Sequence, residues 1–255
     1  MVSQAWRPLG GATTAWFDAP SLVKAAALAV HALAVAPDAA VDVRATGTRV
    51  RLSSQAQAEA VSGHARELGL TADPAALQLL DVAIDSVAPA ATSAFWERAL
   101  GYEATGGELT DPLRRDPRLL VGRVESASTL RDRFHLDVVR PGDAVRRAGL
   151  GEASGPYGVR HVDPDGNEVD VVPGDPLEGA GDWRVVFATM ACYRTTEPER
   201  QRHLVTEAAM IADRAGFPLL IDVRPGLVIL DSGKDRADAD AHGLDVDFPA
   251  SAADL

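Results

Sequence analysis

The feature that most constrains the fold is an internal repeat. Leu22, Val23, Ala26 and Ala27 recur in the same spacing as Leu204, Val205, Ala208 and Ala209, roughly 180 residues on. Asp42-Val43-Arg44 recurs as Asp222-Val223-Arg224, and Val50 with Leu52 returns as Val228 with Leu230. The drift in offset is small and falls where loops shorten, the expected result when helices and strands are kept while connections vary. Two related segments therefore bracket a third.

Each bracket reads as a helix followed by a hairpin. In the first, Pro20 and Ser21 open an alanine-rich helix to Ala34, Pro37 and Asp38 end it, and VDVRATGTRVRL supplies two alternating strands across a Thr46-Gly47 turn. A second helix over 56–68 stops at Gly69. In the later copy a helix over 202–215 ends at Gly216, and LLIDVR and LVIL are strands with Pro225 and Gly226 between them. Helices on a small antiparallel sheet are the natural packing.

The middle of the chain runs through a strand, helix and strands pattern twice. LQLLDVAIDS alternates Asp81, Ala83 and Asp85 with Leu80, Val82 and Ile84, and a helix over 90–100 with Phe95, Trp96 and Leu100 in its packing stripe stops at Gly101. A loop rich in Gly, Asp and Arg leads to the strand RLLVGRVES. The second pass is RFHLDVV, a short helix over 143–150, and the strands GVRHV and NEVDVVP. The DPDG turn that joins those two strands has a sufficient structural explanation, because Asp163 and Pro164 initiate it and Gly166 takes a positive φ. It is not an EF-hand, since the twelfth position from Asp163 is Gly174.

FWERALGY at 95–102, RFHLDV at 133–138 and HVDPDGNEVDVV at 161–172 resemble the glyoxalase-like modules of the vicinal oxygen chelate superfamily. That resemblance implies two βαβββ units whose first and last strands aim side chains into a shared cup. It carries the first-strand positions to Asp81 and His135 and the last-strand positions to Gly122 and Asp170. Asp81, His135 and Asp170 are then candidate ligands of a divalent metal (Mn, Fe, Ni or Zn) with water completing the shell, while Gly122 offers no ligand. Asp137 and Asp85 share their face as orienting groups or ion-pair partners, Asp170 has Arg123 or Arg160 as an alternative partner, and His161 is a rim residue suited to a proton shuttle. His31, His64, His203 and His242 show no ligand spacing.

The order of helix, proline and two strands in the brackets, with GLTAD at 69–73, resembles pterin-4a-carbinolamine dehydratases. The His-His-Pro triplet of that family is replaced by Val35-Ala36-Pro37 and Gly216-Phe217-Pro218, and its later histidine by Ser53 or Ser54 and by Asp231 or Ser232. No remaining side chain at those positions trades protons near neutral pH as imidazole does.

The expected fold class is α+β, with domains at 1–74, 75–175 and 182–255, the middle one a paired βαβββ module and the outer two small helix-on-sheet domains. A formal charge of −12 with an acidic run from Asp235 to Asp247 argues against nucleic acid as a partner. No apolar stretch is long enough to span a membrane, and Cys192 alone permits neither a disulfide nor a cysteine zinc site, so a cytoplasmic protein is expected. Three functions stay open. One is metal-dependent isomerase, lyase or dioxygenase chemistry on a small molecule. The second is non-catalytic binding of a small molecule with the flanks used for homodimerisation. The third is pterin carbinolamine dehydration, which the missing histidines disfavour. Motifs of serine hydrolases, nucleotide-binding loops and zincins are absent from the sequence.

Overall fold

The computed structural model describes residues 5–126, 135–186 and 188–233. The acidic run and the Arg133-Phe134 start of the RFHLDV strand lie outside the described residues. In chain order the elements are β1 (Arg7–Leu9), β2 (Ala12–Asp18), α1 (Leu22–Val35), β3 (Ala40–Arg44), β4 (Gly47–Leu52), α2 (Ala58–Glu67), β5 (Thr71–Ala72), β6 (Asp81–Ser86), α3 (Pro89–Leu100), β7 (Glu103–Thr105), β8 (Glu108–Thr110) and β9 (Arg118–Arg123). They continue with β10 (His135–Pro141), α4 (Gly142–Ala148), β11 (Arg160–Val162), β12 (Glu168–Pro176), β13 (Arg184–Val186), β14 (Ala188–Arg194), α5 (Pro198–Ala215), β15 (Leu220–Arg224) and β16 (Leu227–Asp231). The class is α+β, as expected.

Two compact units form, one from residues up to 78 together with those from 176 onward, the other from Leu79–Asp175. The flanks, expected as separate domains, share one sheet and one core. Strands order as β1-β2-β4-β3-β15-β16-β14-β13, so β3 and β15 meet in the middle, and each flank runs β-β-α-β-β along the chain. The reason lies in pairing: β3 and β15 each have a hairpin partner on one side only, and each satisfies its other row of backbone groups against the other's repeat. The helices answer this arrangement. Ala25, Ala29 and Ala32 of α1 and Ala208, Ala209 and Ala212 of α5 are fully buried, small side chains that let two helices lie close over one sheet. Asp213 of α5 accepts from Leu22 N at 3.1 Å and Val23 N at 3.0 Å, placing a carboxylate on the positive end of α1.

The repeated Asp-Val-Arg triplets face each other across that central line. Asp42 lies opposite Asp222 in register, and the arginines cross over: Arg224 reaches Asp42 at 2.7 Å and Arg44 reaches Asp222 at 2.7 Å. Arg49 and Arg51 of β4 add contacts to Asp42 at 2.5 and 3.2 Å. Burial pushes the Asp42 carboxyl up, but Arg224, Arg51, Arg49 and Arg44 together hold it far below the usual carboxylate range. Burial brings Arg51 down to about 10.

Gly47 is dictated by space, since a Cβ there would lie 2.4 Å from the Phe17 carbonyl oxygen and 2.6 Å from the Trp16 ring. The loop expected between α3 and β9 contains a hairpin, β7 and β8. Its two turn residues, Gly106 and Gly107, both have positive φ, the requirement of a two-residue turn that follows the twist of its strands.

His31 and His64, unrelated by spacing, stack face to face between α1 and α2 with ring centroids 3.9 Å apart. Burial, then the neighbouring His64 charge, lower the His31 pKa, outweighing the Ala60 backbone contact and Glu67. Glu67 faces the pair from α2, 3.1 Å from His64 Nδ1. A histidine with a lowered native pKa takes up fewer protons folded than unfolded, so its stability contribution is complete above about 6.5 and is lost as pH falls through the native value. Melting temperature should therefore fall on going from pH 7 to pH 5, and His31→Phe, which keeps a stacked ring but cannot titrate, should flatten that slope. An unchanged slope in the variant would remove the pair as its source.

Candidate functional site

The Leu79–Asp175 unit holds two half-sheets, β6-β9-β8-β7 and β10-β12-β11, around a core that includes Ile84, Phe95, Trp96, Leu119, Val169 and Val171. The DPDG turn locks the halves together. Asp163 is 4% exposed and accepts from Trp96 Nε1 at 2.8 Å, Asn167 Nδ2 at 2.8 Å, and the backbone of Asp165 and Asn167 at 2.9 Å each. Asp165 reaches back to Val87 N at 3.2 Å and Thr92 Oγ1 at 2.9 Å, at the entrance to α3. The turn is thus a clamp between the half-modules as well as a local turn.

Side chains alternate along β10, so His135 and Asp137 project to one face and Leu136, Val138 and Arg140 to the other. Parallel pairing sets Asp137 opposite Asp170 and His135 opposite Glu168. The imidazole consequently lies among three carboxylates: Nε2 is 3.1 Å from Asp137 Oδ1 and 3.9 Å from Asp170 Oδ2, and Nδ1 is 3.5 Å from Glu168 Oε2. The Asp137 hydrogen bond raises the His135 pKa, helped by Glu168 and Asp170 and opposed by partial desolvation. Arg160, paired with Asp170 in register, donates Nε to Asp170 Oδ1 at 3.1 Å and places Nη1 3.2 Å from Glu168.

Two of the three expected ligands, His135 and Asp170, come together. Asp137 joins them, and among the described residues the ligand atoms of these three lie within 4.8 Å of one another. Asp81 is outside that group. Arg118 holds it through Nε at 2.9 Å and Nη2 at 2.6 Å, and also binds Glu108 at 2.6 Å. Register explains the difference: Asp81 sits opposite Arg118 as Asp137 sits opposite Asp170, both aspartates within an Leu-Asp-Val strand. The counterpart of Asp81 is therefore Asp137, and the counterpart of Asp170 is Arg118, a cation that cancels the carboxylate beside it. Gly122 lies opposite Asp85, whose Oδ1 is 3.0 Å from where a Cβ would stand. A glutamate there would meet a like charge. His161 is in register with the fully buried Val169, on the face away from Arg160, and burial lowers its pKa despite Asp170 and a Leu150 backbone contact; a place at the site's rim does not fit.

The donors present, one imidazole nitrogen and two carboxylates on one face, suit a hard or borderline divalent ion with open positions. Arg160 is the competing cation for Asp170.

Residues 81–172 match the family model described as a glyoxalase-like domain. Among solved structures, the chain is similar to an "Oxidase ChaP-H2" at 18% identity, covering 42% of this chain and 99% of that one with a TM-score of 0.29. It is also similar to a bleomycin-binding protein complexed with bleomycin at 19% identity, covering 38% of this chain and 98% of that one with a TM-score of 0.27. No curated protein matches. Among the described residues, no helix is long and apolar enough to cross a membrane.

Proposed function

We propose that the glyoxalase-like domain binds a small molecule over the His135 face of β10, β11 and β12, and that His135, Asp137 and Asp170 hold a divalent metal there. The convergence of these three side chains carries the reading. Such a metal would supply Lewis-acid polarisation of adjacent substrate oxygens, the chemistry shared by isomerases, lyases and dioxygenases of this kind. The chain's own residues do the rest. Glu168 and Asp137 orient the imidazole from both ring nitrogens, and Arg160 offsets part of the carboxylate charge. In the absence of metal the same carboxylates favour protonated imidazole, so protons and metal compete for His135.

The test is metal-linked stability. Mn, Fe, Ni or Zn should raise the melting temperature of the full chain, by about 2.7 kcal/mol of stabilisation at one hundred times the dissociation constant. The gain should shrink as pH falls through the His135 titration and vanish in His135→Ala. Arg160→Gln, which frees Asp170, should enlarge it. No metal-dependent stabilisation in any of these proteins would overturn the metal reading.

A second reading is favoured by Arg160 and Arg118, which already neutralise Asp170, Glu168 and Asp81. On that reading the domain sequesters a ligand without catalysis and the chain pairs as a homodimer, an assembly that solution mass would reveal. For the flanks we propose descent from a pterin-dehydratase-like helix and hairpin that has lost its chemistry. The support is the repeated β-β-α-β-β order together with the absence of histidine at both triplet positions. Pterin carbinolamine dehydration should run at the spontaneous rate with the full chain present, and acceleration abolished by changes confined to a flank would contradict this.

A further inference from the structure

On the opposite side of β10 from His135, a cavity of about 450 Å³ opens between α3 and α4. Its walls are Ala94, Ala144, Ala148 and the Tyr102 ring, and its polar groups are Arg98, Arg140, Arg147 and Glu97. Three guanidiniums converging on one cavity is unexpected in a chain of charge −12. Their hydrogen bonds show how they are held. Arg140 Nη1 donates to the carbonyl oxygens of Arg98 at 2.8 Å and Ala99 at 3.0 Å, in the last turn of α3. Arg98 donates Nη1 to Gly149 O at 3.0 Å and Nε to Ala94 O at 3.1 Å. Arg147 pairs with Asp143 one turn earlier on α4. Among the described residues, Arg98 and Arg140 have carbonyl partners only, which fix a guanidinium in place without cancelling its charge.

We propose that this cavity is an anion site that takes the phosphate or carboxylate group of a small molecule, with Arg140 and Arg98 as its binding residues and Arg147 at its edge. An anion between them would give both guanidiniums, which among the described residues have no carboxylate hydrogen-bonded to them, charge-assisted, two-pronged hydrogen bonds, the geometry guanidinium provides and ammonium does not, and it would outweigh the single carboxylate of Glu97 in the wall. The volume falls within the range of small-molecule sites, and the alanine and tyrosine walls suit an apolar body attached to the anionic group. Burial, then repulsion from Arg147, lower the Arg140 pKa, in keeping with a half-buried guanidinium near a second cation. The site is separate from the His135 face and stands or falls independently of the metal reading.

The experiment is thermal melting of the full chain titrated with inorganic phosphate, and separately with acetate, against chloride at matched ionic strength. At ten times its dissociation constant the bound anion should raise the melting temperature of the Leu79–Asp175 unit by about 6 to 11 °C, saturably. Which anion saturates identifies the head group. Arg140→Gln and Arg98→Gln should each weaken binding roughly tenfold or more, and Arg140→Lys, which keeps charge but loses the fork, should weaken it less than Arg140→Gln. Arg66→Gln, on an exposed surface of the other unit, should bind as the native chain does. Arg98 is exposed, so its variant folds even if loss of the Arg140 contacts to α3 unfolds the other. No saturable effect beyond chloride, or an effect that survives unchanged in Arg98→Gln, would overturn the site.

Discussion

Replacing Asp42 with alanine should cost the sheet-and-helix unit about 3 to 5 kcal/mol, because it removes the carboxylate that pairs with the buried Arg224. The Arg224 side chain is 5% exposed and its guanidinium lies 2.7 Å from Asp42, while Arg49 and Arg51 lose the same partner. The loss should exceed that for Arg44→Ala, whose side chain is 26% exposed and can hydrate what remains. Coupling is the sharper test. Asp42→Ala combined with Arg224→Met removes both members of the most buried pair and should recover most of the loss, as in a double-mutant cycle of contacting residues. The same network sets an acid limit. Since Asp42 has a native pKa far below its unfolded value, its contribution is complete above about pH 4 and is lost as pH falls further. Urea unfolding of the full chain, followed by hydrogen exchange of β3 and β15 amides, reads the effect. A cost below 1 kcal/mol, or no recovery in the double variant, would show that the pair is not coupled.

Asp163→Ala should be comparably severe in the Leu79–Asp175 unit, at about 3 to 5 kcal/mol, since it leaves four donors without their buried acceptor. The Trp96 indole is fully buried and has no solvent to turn to. Asp163→Asn should cost less, because its carbonyl still accepts while its amide faces donors. Because the clamp joins the half-modules, exchange should rise in β6, α3 and β12 together. Protection lost only within the turn, with α3 unaffected, would reduce the motif to a local turn. The chain has two units, and residue-level exchange assigns the loss to the Leu79–Asp175 one.

The sequence legible at the level of pattern carried far. Alternation in LQLLDVAIDS and RFHLDVV placed the strands, Gly101 and Gly216 ended helices where expected, and the repeat announced two copies of one unit. For the candidate site, the resemblance points to Asp81, His135 and Asp170, and the structure brings His135 and Asp170 together with Asp137. The carry-over slipped at Asp81 because the resemblance matches words and the pairing matches registers. A two-residue displacement keeps a side chain on the same face and leaves the pattern unchanged, yet it exchanges a His and Asp neighbourhood for Arg118. His31 with His64, and Arg98 with Arg140, were invisible for a related reason: their partners are supplied by other elements, at separations no periodicity encodes.

By itself, then, the sequence determined the α+β class, the duplicated helix and hairpin, the strand faces and the identity of the polar groups, because backbone propensity and burial period are local properties. Only tertiary structure decided that the two flanks close on each other through β3 and β15, that Asp42 and Asp222 exchange arginines across that line, and that Arg118 rather than a carboxylate stands opposite Asp81. Strand edges pair with whichever partner satisfies their hydrogen bonds, and a charge acquires its meaning from the neighbour that pairing delivers.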